Sequence, residues 1–112
     1  MIEAHRLQTT LSQLKTRLTA DYPVVRLVLF GSAVRGTMDE ESDVDVLVVI
    51  PLVRGQRNVR LAAAIRDRVR ASFPMDVIVR SPRDISRGLA RGDKFITGIF
   101  RDGRVVYEGE HP

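Results

Sequence analysis

An α/β fold (α+β in its mixture of elements), a mixed sheet of three to four strands covered by helices in a single domain of residues 1–112, is what this sequence predicts. Three observations predict it. Short apolar runs rich in β-branched residues alternate with segments whose apolar residues recur at helical spacing. The run Asp43 to Ile50 is apolar on both faces beyond Asp45, as a central strand covered on both sides must be. Finally, 112 residues lie at the mode for one domain and can bury roughly two-thirds of the surface that the unfolded chain exposes.

In chain order, Leu7, Leu11, Leu14 and Leu18 recur at i, i+4, i+7 and i+11, drawing one stripe of an amphipathic helix from Ile2 to Ala20. Asp21-Tyr22-Pro23 ends it, because the residue before proline is pushed out of the helical region. Val24 to Phe30, closed by Gly31, reads as a buried strand. Ser32 to Arg35 reads as a short helical turn closed by Gly36, and the acidic stretch Thr37 to Ser42 as a loop. Pro51 ends the second strand, Asp43 to Ile50. Gln56 to Ser72 follows as a helix, with Val59, Ala62, Ala63, Ile65 and Val69 inward and Arg57, Arg60, Asp67 and Arg70 outward. Met75 to Val79, after Pro74, is the third strand. Ser81-Pro82-Arg83-Asp84 has the make-up of a capping box with proline at the first helical position, and its helix stops at Gly92. Phe95, Ile96, Ile99 and Phe100 predict another short helix closed by Gly103, with this cluster expected in the core rather than as a base-stacking platform. Val105 to Tyr107 is a last short strand.

Composition removes several classes of function. With no Cys there is no disulfide scaffold, thiolate zinc site or cysteine nucleophile. The longest nearly unbroken apolar run, Val46 to Val53, has eight residues and contains Pro51, against about 20 for a membrane span. Met1 to Leu14 has no continuous apolar segment of the secretory kind, so the expected compartment is the cytoplasm. The net charge of +4 comes with 16 Arg against 2 Lys and attracts anions generally. Six aromatic residues, none of them Trp, are few for a base-stacking module, so the arginines are expected to form a solvated surface and direct nucleic-acid binding is not favoured.

The informative stretch is Gly31-Ser32-Ala33-Val34-Arg35-Gly36 followed by Ser42-Asp43-Val44-Asp45-Val46-Leu47. Residues two apart on a strand share a face, so Asp43 and Asp45 would project side by side, and two such carboxylates repel unless a cation sits between them. Oxygen donors favour Mg²⁺ or Mn²⁺. Asp76 lies one residue into the third strand, and if that strand neighbours the second it would complete a three-carboxylate cluster. Gly31-Ser32, at the exit of a strand, offers backbone N–H groups and a hydroxyl to an anion such as a phosphate. With nine Asp in the chain, one Asp-x-Asp is ordinary by chance, and Gly-Ser is equally common. Their joint order on strand, turn and strand is what carries information. Arg35 divides evenly between phosphate contact and surface ion pair, and Asp84 is better explained as a cap than as a catalytic acid.

Gly31-Ser32, ten intervening residues, then Asp43-Val44-Asp45 resembles the signature of the nucleotidyltransferase superfamily to which DNA polymerase β gives its name. The fuller run, and the closing Arg101-Asp102-Gly103-Arg104-Val105-Val106-Tyr107-Glu108, are similar to the minimal nucleotidyltransferases of toxin–antitoxin pairs. Where those often carry Arg-Ala after Gly-Ser, this chain has Ala33-Val34 before Arg35. The resemblance implies the nucleotidyltransferase fold. It implies Mg²⁺ held by Asp43, Asp45 and Asp76, with the ATP phosphates held at Gly31 and Ser32 and a role for Arg35 at the nucleotide. It also implies transfer of AMP to a tyrosine hydroxyl of a HEPN-domain toxin, with this chain as the antitoxin. Two other readings remain at this point: a non-catalytic antitoxin on the same fold, or transfer to RNA or a small molecule such as an aminoglycoside.

Overall fold

Four helices and four strands make up the described residues of the computed structural model, which are 4–31, 44–52, 58–68 and 75–109. Their order is α1 (Ala4–Asp21), β1 (Arg26–Phe30), β2 (Val44–Val49), α2 (Asn58–Arg68), β3 (Met75–Arg80), α3 (Pro82–Arg91), α4 (Lys94–Asp102) and β4 (Arg104–Glu108). The turn expected over Ser32 to Arg35 and the loop expected over Thr37 to Ser42 lie outside these residues.

The strands form one mixed sheet in the order β3-β2-β1-β4. β1 is antiparallel to both β2 and β4, whereas β2 and β3 run parallel with α2 as the crossover between them. β2 is therefore interior, which is why its sequence tolerates apolar residues on both faces. Val25 extends the pairing just before β1, donating its N–H to Val49 O at 2.8 Å. On β4, opposite Leu27 and Val28, the register skips Val106, a bulge of one residue.

Each face of the sheet buries its own apolar cluster. Val44, Val46 and Val48 of β2, Leu27 and Leu29 of β1, and Val77 and Val79 of β3 pack with Leu11, Leu14 and Leu18 of α1 and Leu61 and Ile65 of α2. On the other face Val28, Leu47 and Val49 pack with Ile85 of α3 and Ile96 and Ile99 of α4. The leucine stripe of α1 thus does what its spacing predicts at Leu11, Leu14 and Leu18. Among the described side chains of α2, Leu61 and Ile65, one helical turn apart, are buried, and Ala62 packs half-buried beside them, with Ala63 also half-buried; the expected inward residues Val59 and Val69 lie outside that set. Leu61 is a core residue that the expected stripe left out.

The predicted caps form. Ser81 Oγ accepts from Asp84 N–H at 3.1 Å and an Asp84 carboxylate oxygen accepts from Ser81 N–H at 3.4 Å, closing the capping box. Asp84 is accordingly a cap. Gly92 ends α3 in the left-handed conformation, φ +70°. Asp93 caps α4 by accepting from Ile96 N–H at 3.0 Å, and Gly103 follows its last residue. α3 and α4 lie tightly together because Gly88 has no side chain: a Cβ there would meet Ile96 Cγ1 at 3.0 Å.

Candidate active site

Two parallel strands that start together bring two carboxylates together. Asp45 is the second residue of β2 and Asp76 the second residue of β3, and the register pairs them directly. Partners on neighbouring strands share a face about 4.8 Å apart, so both carboxylates project on the side of the sheet that carries α3 and α4. This is the adjacency on which the third ligand of the expected cluster depended. Asp45 is half-buried and Asp76 exposed, which leaves the pair reachable from solvent.

The exit of β1 closes on the same spot. Since β1 runs antiparallel to β2, its last residue, Phe30, is the register partner of Asp45 on the side away from Asp76. Gly31 follows at φ +80°, a conformation that costs an L side chain roughly 1–2 kcal/mol. Its open side faces the carboxylate of Asp45: a Cβ on Gly31 would overlap Asp45 Oδ2 and lie 3.2 Å from Cγ. Glycine is therefore required twice over, by backbone conformation and by close approach. The open side expected to receive a phosphate also accommodates, in the fold, an aspartate of the chain itself.

Ser32, Arg35 and Asp43, the remaining expected site residues, lie outside the described residues. Among the described residues no group of three His, Cys, Asp or Glu side chains is arranged to hold a metal ion; Asp45 and Asp76 are the pair they contribute. An all-oxygen pair suits a hard divalent cation such as Mg²⁺ or Mn²⁺, and its mutual repulsion is relieved by one. On donor chemistry, the residues present fit the metal that the sequence implied.

One side chain near the site departs from expectation. Of the apolar residues predicted in the core of α4, Ile96 and Ile99 are buried and Phe100 is half-buried, but Phe95 is 48% exposed. It stands edge-on to Phe30, ring centroids 6.0 Å apart and planes at 85°. The helical pattern could not separate it from the core, because Phe95 lies one turn before Ile99 and next to Ile96. Packing of Ile96 and Ile99 with Val28 and Leu47 brings its helix to the face of the sheet that carries Asp45.

The sequence matches the family model of the nucleotidyltransferase domain over residues 11–102. It is 32% identical over 92 residues to a protein of Methanocaldococcus jannaschii that carries the provisional name protein adenylyltransferase. That alignment covers 79% of this chain and 61% of the relative, so the chain spans about three-fifths of the relative's length. Among solved structures, a provisionally assigned nucleotidyltransferase from Sulfolobus solfataricus superposes with a TM-score of 0.58 at 17% identity, covering 96% of this chain and 90% of that one. A toxin–antitoxin structure solved with AMP-PNP superposes with a TM-score of 0.51 at 17% identity, covering 91% and 73%. At such identity the two superpositions speak to the fold.

Proposed function

This chain belongs to the nucleotidyltransferase domain family, and from that premise we propose that it transfers AMP from ATP to a tyrosine hydroxyl of a HEPN-domain toxin whose antitoxin it is. The observation that carries the transferase reading is the direct register of Asp45 with Asp76, with Gly31 folded against Asp45. A strand-exit glycine beside two carboxylates can hold a triphosphate in one orientation, and positioning supplies much of the catalysis that phosphoryl chemistry needs. Support for a protein as acceptor comes from the relative named as a protein adenylyltransferase, and for a toxin as partner from the toxin–antitoxin neighbour solved with AMP-PNP.

In this reading Asp45 and Asp76, together with Asp43, would hold Mg²⁺, which when bound offsets phosphate charge and lowers the barrier to nucleophilic attack. Gly31 and Ser32 hold the phosphates through backbone N–H groups and the serine hydroxyl, with Arg35 as a further phosphate contact. Asp76, the more exposed of the described carboxylates, faces the acceptor and takes its proton. The new bond joins the acceptor oxygen to the α-phosphorus, the bond from that phosphorus to the bridging oxygen breaks, and pyrophosphate leaves.

The test is label transfer from α-labelled ATP with Mg²⁺ in an extract of the native host, beside an Asp43→Asn/Asp45→Asn double variant. A labelled protein band that appears with the wild type alone is the expected result, and its identification names the acceptor. Label in RNA or in a small molecule would move the acceptor. A partner that binds and is neutralised with no transfer from any nucleotide would overturn catalysis and leave an antitoxin that acts by binding.

A further inference from the structure

Beside the two aspartates lies an aromatic pair of which core packing accounts for only one ring. Phe30 is the register partner of Asp45, so both side chains rise from the same face of the sheet about 5 Å apart. Phe95 meets Phe30 edge-to-face with ring centroids 6.0 Å apart. Phe30 is partly buried against the cluster of that face, yet Phe95 leaves on the order of 100 Å² of ring in water. The ring is nonetheless held in place. Asp93 caps the first turn of its helix, Ile96 and Ile99 anchor that turn in the core, and Gly88 lets Ile96 seat against α3.

We infer that Phe95, braced by Phe30, is the stacking surface for the base of the nucleotide whose phosphates lie at Gly31 and the aspartates. The inference rests on the nucleotidyl-transfer reading and adds to it the site of the base. Phe30 links the two parts of the site, as the register partner of Asp45 on one side and the edge-on neighbour of Phe95 on the other. An open aromatic ring stacks on any base, because every base has a π-face, and it recognises no particular edge. Purine nucleotides therefore bind more tightly than pyrimidine nucleotides by overlap area, and adenine is favoured little over guanine.

The chain contains no Trp, so a Phe95→Trp variant carries one indole, whose emission reports this position alone. Because Phe95 is half exposed, the variant is expected to keep the wild-type melting temperature. ATP with Mg²⁺ is expected to quench this emission, and inorganic tripolyphosphate with Mg²⁺ to leave it unchanged. Phe95→Ala should weaken ATP binding roughly tenfold by equilibrium dialysis while tripolyphosphate binds as before. ATP bound without quenching, and with unchanged affinity for Phe95→Ala, overturns the base platform and leaves nucleotidyl transfer standing. Emission that responds to a protein partner and not to nucleotide assigns the ring to a protein interface and overturns the proposal. Failure of wild-type protein to retain any nucleotide overturns both readings.

Discussion

Gly31 and Asp45 constrain each other. Gly31→Ala would meet two obstacles, the positive φ and the carboxylate of Asp45, of which the second can be relieved only by moving that carboxylate. We expect a loss of roughly 1–2 kcal/mol in a urea melt from the backbone alone. Transfer activity should fall far more than that loss of stability explains, since the displaced group is a candidate metal ligand. A Gly31→Ala protein with wild-type label transfer would refute the arrangement. At this scale the sequence was legible where chemistry is written in spacing. Asp45 and Asp76 stand out because each is a charged residue one step into an apolar strand. That they face each other could not be read, since strand neighbours are chosen by tertiary packing and a shift of one residue would turn either side chain to the opposite face. Phe95 is expected in the core and stands half exposed for a related reason: helical periodicity sorts residues by direction, and does not say what a neighbouring strand leaves uncovered.

The helices between and after the strands show which local signals survive folding. The capping box of α3 was readable because all its partners lie within four residues, and both of its hydrogen bonds are present. Ser81→Ala removes the oxygen that accepts from Asp84 N–H and should cost about 1 kcal/mol. In a domain of this size that lowers the melting temperature by roughly 4–8 °C by calorimetry. Ser81 follows the far end of β3 from Asp76, so label transfer below the melt should be unchanged. Less legible was the inward stripe of α2. Several apolar residues crowd that segment, and only packing against the sheet makes Leu61 a core residue beside Ile65.

For the molecule as a whole, the sheet is a wall between two unequal cores. Among the described residues the α1–α2 side gathers fourteen buried ones and the α3–α4 side, which bears the candidate site, six. Stability should therefore reside mainly behind the site. Ile65→Ala, at a position with no exposed surface, is expected to cost about 2–5 kcal/mol, read from the urea midpoint at unchanged slope. The α/β class and the central place of β2 were visible from the order of elements and the two-faced apolarity of its sequence. Which helices cover which face was not, because that depends on how the chain crosses over.

The parallel pairing of β2 with β3 has a consequence for how the protein comes into being. β1 and β2 are neighbours in sequence and can pair as soon as residue 50 has emerged from the ribosome, whereas β3 joins only after the crossover helix is made. Until then the free edge of Val44–Val49 is a hydrophobic template on which another nascent chain could add a strand. The slow, non-local closure that removes this hazard is the same event that sets Asp76 beside Asp45. Protection from aggregation and completion of the carboxylate pair thus arrive in one step, and no chain that still exposes the β2 edge holds both aspartates in place.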